Sequence, residues 1–194
     1  MGGLARKVLA PLVVAGILTM PWRVSAQQNT ISEFVPLTSV SVGGGIYKDN
    51  DQTISDYYGS ILGLNGRIAK DFNRNIRGEL GIDLFSKENK DAILGRDLSL
   101  VSFTATGEYV SPFKNQRGAT YFKAGVLFTQ ARENVGSRSE SGQGFGIVLG
   151  SGIEIKISPD SEIYGEILYK SVSAETLDLA GEEISIGYKK FLGR

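Results

Sequence analysis

The segment Ile76–Phe85 reads IRGELGIDLF, and apolar and polar residues alternate along it. One face of this segment carries Ile76, Gly78, Leu80, Ile82 and Leu84. The other face carries Arg77, Glu79, Gly81 and Asp83. Because successive side chains of a β-strand point to opposite faces of a sheet, this period of two predicts a strand with one apolar and one polar face.

The same alternation recurs between about Leu37 and Phe191 and divides this part of the chain into eight segments. No segment there has a helical period, and no stretch after the first 26 residues approaches 18 consecutive apolar residues. The pattern predicts an all-β fold, a single up-and-down antiparallel barrel of about eight strands. We predict these strands at residues 37–47, 58–69, 76–85, 98–110, 120–130, 143–157, 162–172 and 183–191.

The N-terminus has the features of a secretory signal peptide, which predicts Sec-dependent export. Arg6 and Lys7 precede an apolar run at Val8–Met20, and Val24–Ala26 is a small-residue cleavage site. We therefore predict three parts: a signal peptide at residues 1–26, a periplasmic lead-in at 27–36 and a barrel at 37–194.

The composition excludes several classes of function. The chain of 194 residues contains no Cys and no His, so it lacks disulfides, thiolate metal sites and the commonest general base. The predicted signal peptide holds three basic and no acidic residues, which leaves 18 basic and 21 acidic residues in the rest of the chain. This balance argues against nucleic acid as a partner.

The connections between the predicted strands alternate between short and long. The short ones contain turn-forming residues and lie at Lys70–Asn75, Ser111–Asn115 and Ser158–Ser161. The long ones are polar, as at Ser86–Asp97 and Ala131–Gly142. Outer-membrane barrels have short periplasmic turns and longer external loops. The alternation therefore predicts a transmembrane barrel whose first strand rises from the periplasm.

Alternation alone does not decide which face points outward, because a soluble lipocalin-type barrel has the same period with the apolar face inside. The polar face here is rich in glycine, which suits the narrow lumen of an eight-stranded barrel, where side chains fill the space. These glycines are Gly43, Gly45, Gly63, Gly81, Gly125, Gly144, Gly146, Gly150, Gly152 and Gly187. We therefore predict that the apolar face contacts lipid.

Aromatic residues lie toward the strand ends, as expected for girdles at the two membrane interfaces. One predicted rim has Tyr47, Tyr57, Tyr58, Phe85 and Phe128, and the other has Phe72, Tyr109, Phe113, Phe122, Tyr188 and Phe191. Between the rims we predict a lipid-facing belt of Val40, Val42, Ile46, Leu62, Leu64, Leu80, Ile82, Val101, Phe103, Ala124, Val126, Ile147, Leu149, Ile153, Ile163, Ile167, Ile184 and Ile186.

Charged residues on the polar face form pairs of opposite sign across neighbouring predicted strands. The predicted pairs are Arg67–Glu79, Glu108–Lys123, Lys156–Glu162 and Glu166–Lys189, and further polar residues of the lumen are Arg77, Asp83, Glu154 and Lys170. Inside a barrel each unpaired charge would cost several kcal/mol, so pairing favours a lumen location. The alternative, pairing on the solvated face of a sheet, stays open at this point.

Taken together, these features resemble the small outer-membrane barrels of the OmpA and OmpX type. The resemblance rests on the leader, the eight alternating segments, the connection lengths and the aromatic-bearing last segment Ile184–Phe191. That family usually ends on an aromatic residue that is recognised during assembly, which makes Tyr188 and Phe191 the candidates, although this chain continues through Leu192–Arg194. The resemblance implies the Gram-negative outer membrane, the barrel-assembly machinery and periplasmic chaperones as biogenesis partners, and function in the external loops.

Three function classes remain after this reasoning. Lipid A deacylases, palmitoyl transferases and omptin-like proteases resemble the scaffold, but their catalytic sets include a His, so we predict no enzyme, no cofactor and no metal site. We favour a structural or surface-recognition barrel whose partners are outer-membrane lipid, lipopolysaccharide and a host or cell-surface ligand, with no nucleic acid. The alternatives are a narrow channel for ions or small solutes and a soluble periplasmic lipid-binding barrel.

Overall fold

The computed structural model describes residues 36–50, 59–89, 96–135, 137–173 and 179–192. The predicted signal peptide and all but the last residue of the predicted lead-in lie outside this part of the chain. Within the described ranges no helix is long and apolar enough to cross a membrane.

Eight antiparallel strands form a closed barrel in which each strand pairs with its neighbours in chain order. The last strand closes onto the first, with Gly43 opposite Gly187. The strands are β1 (Thr38–Asp49), β2 (Ser60–Asp71), β3 (Ile76–Asn89), β4 (Arg96–Pro112), β5 (Gly118–Val135), β6 (Arg138–Ser158), β7 (Ser161–Ser173) and β8 (Leu179–Leu192). The predicted all-β, up-and-down antiparallel barrel is confirmed.

At one end the strands extend further than the alternation predicted. β5 and β6 remain paired as far as Val135 and Arg138, and β3 remains paired with β4 as far as Asn89. The prediction of a long connection at Ala131–Gly142 is therefore wrong, since ten of its twelve residues belong to β5 and β6. In the predicted connection Ser86–Asp97, six residues belong to β3 and β4, and residues 90–95 lie outside the described residues. Polar residues form the same backbone ladder there, but they lack the apolar face on which the sequence signal depends.

The opposite end carries three short turns stabilised by local side-chain hydrogen bonds. The Asn73 side-chain oxygen accepts hydrogen bonds from the backbone N–H groups of Asn75 and Ile76, both at 2.8 Å. The turn between β4 and β5 contains Gln116 at a φ of 56°, in the left-handed region. These contacts fix the turns that join β2 to β3 and β4 to β5.

The apolar face of the barrel points outward, as predicted. Every residue of the predicted belt is exposed except Val101, which is half-buried. Leu62, Leu64 and Leu80 are each about two thirds exposed, at 68%, 67% and 66%. Because a soluble barrel buries its apolar side chains, this arrangement excludes the lipocalin-type orientation.

The interior contains two tiers of side chains. An apolar tier fills the half nearer the extended strand ends and consists of Tyr47, Ile61, Phe85, Leu98, Leu100, Leu127, Ala131, Val148, Leu168, Val172 and Leu179. The prediction that Tyr47 and Phe85 belong to a lipid-facing girdle is wrong, because odd-numbered residues of β1 and β3 face the lumen. The two rings pack against each other inside the barrel with centroids 5.7 Å apart. Tyr57 and Tyr58 lie outside the described residues.

Inward-facing glycines make room for the large interior rings, as the crowded-lumen interpretation requires. A Cβ atom at Gly63 would lie 2.2 Å from the Phe85 ring, and one at Gly152 would lie 2.3 Å from the Tyr121 ring. Real side chains do not approach this closely, so any larger residue at these positions would displace the ring. The high glycine content therefore follows from how tightly the lumen is filled.

Candidate functional site

Charged side chains fill the half of the interior nearer the short turns. We call these residues the lumen cluster, and its members are Arg67, Arg77, Glu79, Asp83, Glu108, Lys123, Glu154, Glu162, Glu166, Lys170, Glu183 and Lys189, all nine-tenths or more buried. They come from seven of the eight strands, and strand alternation turns each of them inward. The lumen cluster therefore exists only when the barrel is closed.

Arg67 on β2 lies at the centre of the lumen cluster. Its Nη1 atom forms a close ion pair with Glu166, and its Nε atom lies 3.7 Å from Glu79 Oε1. Its Nη2 atom lies 3.7 Å from Asp83 Oδ1 and 3.9 Å from Glu183 Oε1. A single guanidinium thus faces four carboxylates from four residues on three other strands. Its planar fork of five N–H donors suits this central position.

Lys123 on β5 joins three carboxylates next to Arg67. Its Nζ atom lies 2.5 Å from Glu79 Oε1 and 3.1 Å from both Glu108 Oε1 and Glu166 Oε2. The Tyr121 hydroxyl donates a further hydrogen bond to Glu166 Oε2 at 2.9 Å. Lys123 and Arg67 share Glu79 and Glu166, so the two cations form one connected network.

Nearer the short turns, Arg77 and Lys189 form a second group. Arg77 Nη1 lies 2.7 Å from Glu154 Oε1 and 3.1 Å from Glu108 Oε2, and Arg77 Nε lies 2.8 Å from Asp71 Oδ1. Lys189 Nζ also forms a close ion pair with Glu154. Glu108 contacts both Arg77 and Lys123, so it connects this group to the central one.

Toward the apolar tier, Lys170 forms a third group. Its Nζ atom lies 2.6 Å from Asp83 Oδ2 and forms a close ion pair with Glu183. The same Nζ atom lies 5.5 Å from the centroid of the Phe85 ring, which belongs to the apolar tier. Lys170 is therefore the side chain at which the charged and apolar tiers meet.

Two of the predicted charge pairs are brought together. Glu108 and Lys123 are directly opposite in the β4–β5 ladder and form an ion pair at 3.1 Å. Arg67 is opposite Gly81 and not opposite Glu79, a difference of two residues in register. The diagonal contact between Arg67 and Glu79 still forms at 3.7 Å, because long side chains reach diagonal neighbours.

The prediction of a Glu166–Lys189 pair is wrong. β8 begins at Leu179, four residues before the predicted start, and Glu166 is opposite Ser185. Glu166 contacts Arg67 and Lys123, whereas Lys189 contacts Glu154. The predicted connection between β7 and β8 is ten residues long, at 173–182, and a connection of this length does not fix the register.

The prediction of a Lys156–Glu162 pair inside the lumen is wrong as well. The two residues are opposite each other in the ladder, but Lys156 is exposed while Glu162 is buried. The β6–β7 register shifts between Lys156 and Ser158, which turns the end of β6 away from the lumen. Among the described residues, Glu162 Oε2 has no hydrogen-bond partner.

The four further polar residues predicted for the lumen, Arg77, Asp83, Glu154 and Lys170, all lie inside it. Sequence reasoning missed Glu183, which is fully buried and contacts Lys170. Glu183 has the same parity as Lys189 in β8, so alternation carried back along the strand would have found it. Tyr164 was also missed; it donates a 2.6 Å hydrogen bond to Asn65 across the lumen.

The two candidate assembly residues lie on opposite faces of β8. Tyr188 is exposed on the outer face, with its hydroxyl 2.9 Å from Ser161 Oγ. Phe191 has the inward parity and is 7% exposed, while the next residue, Leu192, is exposed on the outer face. Of the two candidates, Tyr188 thus has the lipid-facing orientation.

The turn between β6 and β7 carries one titratable group with a shifted pKa. The Ser158 hydroxyl donates a 2.6 Å hydrogen bond to Asp160 Oδ1, and Lys190 and Ser161 also contact this carboxylate. These contacts, with that of Ser158 first, hold the pKa of Asp160 well below its usual range. The turn therefore keeps a negative charge at the short-turn rim throughout the ordinary pH range.

Apart from Glu162, the lumen cluster is one connected network of ion pairs. Its basic and acidic groups are joined by charge-assisted hydrogen bonds, which offset the cost of burying charge. A cavity of about 10 Å³ borders Ser102, Thr129 and Lys170 at the junction of the two tiers. That volume holds about one water molecule. Within the described residues no group of three or more His, Cys, Asp or Glu side chains is arranged to hold a metal ion.

Known proteins share this fold. The family described as "Outer membrane protein beta-barrel domain" matches residues 12–189. Neisserial surface protein A is similar with a TM-score of 0.62 at 17% identity, over 79% of this chain and 96% of that one. Ail, the attachment invasion locus protein of Yersinia pestis, gives a TM-score of 0.60 at 16% identity, over 80% of this chain and 98% of Ail.

A third solved structure has a lower sequence identity to this chain. It is a major outer membrane protein from Thermus thermophilus, with a TM-score of 0.61 at 10% identity, over 81% of this chain and 100% of that one. At these identities the likeness shows the fold alone. No curated protein sequence matches the chain. The matching family and the Thermus thermophilus neighbour are both described as outer-membrane proteins.

Proposed function

Since the chain belongs to the outer membrane protein beta-barrel domain family, we propose that it is a non-enzymatic surface barrel with a closed lumen. On this proposal the barrel functions through its extended strand ends, which lie at the end opposite the short turns. The observation that carries the proposal is the filling of the lumen by two consecutive tiers, one charged and one apolar. A solute would have to displace both.

The two tiers oppose permeation in different ways. An ion that entered the charged tier would have to break ion pairs such as Lys123–Glu79 and Lys170–Asp83. The apolar tier consists mostly of hydrocarbon side chains, which cannot replace the hydration shell of that ion and make its passage costly. The Tyr47 hydroxyl is a polar group of this tier, and it already contacts Asp49 at 3.3 Å. Eight strands leave space for side chains and little else. This filling supports a closed barrel over the narrow-channel alternative.

The wall formed by β3 to β6 extends beyond the described end of β7. β6 pairs with β5 from Arg138 onward, but it pairs with β7 only from Phe145. Residues 138–144 therefore extend beyond the end of β7 by about 23 Å of strand, at about 3.3 Å per residue. The β5–β6 hairpin beyond the Ala131–Gly142 pair, which we call the projecting hairpin, supports a role in contacts with other molecules.

The outer face of the same wall changes from apolar to polar in consecutive rows. Phe103, Phe128 and Phe145 are neighbours across three strands, and the Phe128 and Phe145 rings lie 4.9 Å apart. The next row outward contains Val101, Gln130 and Gln143, and the row after it contains Ser99, Arg132 and Ser141. Aromatic rings typically mark the membrane interface, so the two polar rows lie in the headgroup region or beyond it.

The names of two neighbours agree with such a role. One neighbour is a surface protein, and the other is an attachment invasion locus protein that was also solved with the heparin analogue sucrose octasulfate. We infer for this chain a host or cell-surface ligand and contact with lipopolysaccharide at the polar rows. Export through the Sec pathway, periplasmic chaperones and the barrel-assembly machinery complete the proposal for its biogenesis.

Planar-bilayer recording tests the closed lumen. The purified barrel should give no stable conductance, because the apolar tier excludes hydrated ions. Brief low-amplitude currents agree with transient rearrangement of the lumen cluster. A large, steady, weakly selective conductance from the monomer would contradict the proposal and favour a channel.

A cell-attachment assay tests the projecting hairpin. Laboratory bacteria that display the chain should attach to an epithelial monolayer more than bacteria carrying an empty vector. Replacement of residues 132–141 by an Asn-Gly turn shortens the hairpin so that the β5–β6 ladder ends at the Ala131–Gly142 pair. This change should abolish the increase in attachment over the empty vector. A matched change in the short turn at residues 113–117 should leave it intact. No gain with the wild-type chain, or a gain that survives hairpin removal, would refute the recognition role.

A further inference from the structure

The short-turn end of the barrel carries a ring of basic side chains. Six of them are exposed: Lys70, Arg74, Lys114, Arg117, Lys156 and Lys190. They occur in or beside each of the three short turns and on β8, so they are distributed around the perimeter. We call this set the basic ring. None of these residues belongs to the lumen cluster.

Acidic residues at the same end compensate little of this charge. Asp71 is directed toward buried Arg77, with its Oδ1 atom 2.8 Å from Arg77 Nε, and its side chain is only 17% exposed. Asp160 is partly exposed and lies 3.2 Å from Lys190 Nζ. In the described part of this rim these are the acidic residues outside the lumen cluster. The basic ring therefore gives the rim a net positive charge.

The basic ring lies at the border of the lipid-facing belt. Lys70 follows exposed Ile68 by two residues on the outer face of β2, and Lys190 follows exposed Tyr188 in the same way on β8. Two residues of strand correspond to about 7 Å. Exposed Phe72 and Leu192 follow Lys70 and Lys190 by two further residues, so the two cationic groups lie among the last apolar side chains of this rim. Long basic side chains at this position extend toward the interface and reach lipid phosphate groups.

The opposite rim differs in charge. Its exposed basic residues among those described are Lys48, Arg132 and Arg138, and its exposed acidic residues are Asp97, Glu140 and Glu182. These charges balance, whereas the basic ring does not. The asymmetry is therefore a property of the rim that bears the short turns, the rim that faces the periplasm in outer-membrane barrels.

We propose that the basic ring binds the phosphate groups of anionic phospholipids in the periplasmic leaflet. Multiple Lys and Arg residues next to a membrane surface attract anionic lipid, and the attraction acts within a Debye length. The cell wall is a less suitable partner, because the ring surrounds the barrel at belt level and is not gathered into one patch that projects into the periplasm. The bound lipids hold the barrel at a fixed depth.

Lipid selectivity of the reconstituted barrel tests this proposal. Electron spin resonance with spin-labelled phosphatidylglycerol and phosphatidylcholine gives the relative association of the two lipids with the protein. The wild-type barrel should prefer phosphatidylglycerol by about twofold or more at low salt, and the preference should approach one in about 1 M NaCl, where the Debye length is about 3 Å.

Matched variants locate the effect. A triple variant Lys70→Gln, Lys114→Gln and Arg117→Gln should lose most of the preference, and Lys48→Gln, Arg132→Gln and Arg138→Gln together should retain it. All six residues are exposed, so both variants should fold, as heat-modifiable gel mobility would check. An equal loss in both variants, or no preference in the wild type at low salt, would overturn the proposal.

A cell-wall partner would give a different result. Co-sedimentation of the wild-type barrel with isolated peptidoglycan sacculi, lost in the first triple variant and combined with no lipid preference, would assign the ring to the cell wall and refute the lipid assignment. These outcomes are independent of the cell-attachment and conductance experiments, so failure of the surface-recognition role would leave this inference in place.

Discussion

The two halves of the lumen fill the same cylinder by different physical means. In the half near the short turns, buried charges such as Arg67 and Glu166 neutralise each other. In the other half, side chains such as Ile61 and Leu127 form a buried apolar cluster. Glycines next to the rings of the apolar half, such as Gly63 beside Phe85, leave the space that each ring occupies.

This difference determines how each half should respond to substitution. Loss of one charge leaves its partners buried and uncompensated, so the cost depends on the whole network. Loss of an apolar side chain leaves a cavity whose cost depends on local packing. Four predictions, in order of decreasing effect, test whether the halves differ in this way. Each compares unfolding in urea after reconstitution into lipid vesicles.

Arg67→Met should have the largest effect in the charged half. Its removal leaves Glu166 and Asp83 without their shared cation, and we expect a loss of about 3–5 kcal/mol in the free energy of unfolding. Arg132→Met on the exposed hairpin is the control and should change it by less than about 0.5 kcal/mol. Combining Arg67→Met with Glu166→Gln should recover part of the loss. Strict additivity of the two changes would mean that these residues do not interact.

Phe85→Ala should have the largest effect in the apolar half. The Phe85 ring is 4% exposed and packs against Tyr47, so its truncation should cost about 3 kcal/mol. Phe103→Ala, at a ring that is 49% exposed on the outer face, should cost clearly less. Equal losses for the two phenylalanines would contradict the interior packing.

Gly63→Ala tests the fit between the two sides of the apolar half. The new Cβ atom would lie 2.2 Å from the Phe85 ring, and we expect a loss of about 1–3 kcal/mol from overpacking. Gly107→Ala is the matched control, since a Cβ atom there meets no atom within 4 Å. The loss at Gly63 should be smaller in the Phe85→Leu background; an unchanged loss would assign the strain to the backbone near Leu84.

Glu162→Gln should have the smallest effect, although its side chain is buried in the charged half. Glu162 Oε2 has no hydrogen-bond partner within the described residues, so neutralising the carboxylate should change stability by less than about 1 kcal/mol. Glu154→Gln is the comparison and should cost about 1.5–3 kcal/mol, because Glu154 binds both Arg77 and Lys189. A larger loss at Glu162 than at Glu154 would reverse the roles assigned to the two residues.

The register of each hairpin decided which charge pairs could be predicted. Glu108 and Lys123 flank a short turn, so counting outward from that turn placed them opposite each other, as in the structure. Glu166 and Lys189 flank a predicted connection of ten residues, which is too long to fix the register, and the same counting failed by four residues. A register shift of even one residue exchanges the two faces of a strand, so connection chemistry limits what alternation can predict.

Alternation along the chain by itself determined the strand number and the all-β fold, because side-chain direction in a strand depends on sequence position alone. The outward direction of the apolar belt also required the glycines and paired charges of the polar face. Alternation could not determine which inward residues meet, since Arg67 and Glu166 belong to strands that are not neighbours in the barrel. Contacts across the lumen depend on barrel closure and on the combined register of all eight strands. For that reason only the tertiary structure separated a charged tier from an apolar one and brought the Tyr47 and Phe85 rings into contact. The inward direction of the two rings already follows from strand parity, which they share with Gly45 and Asp83.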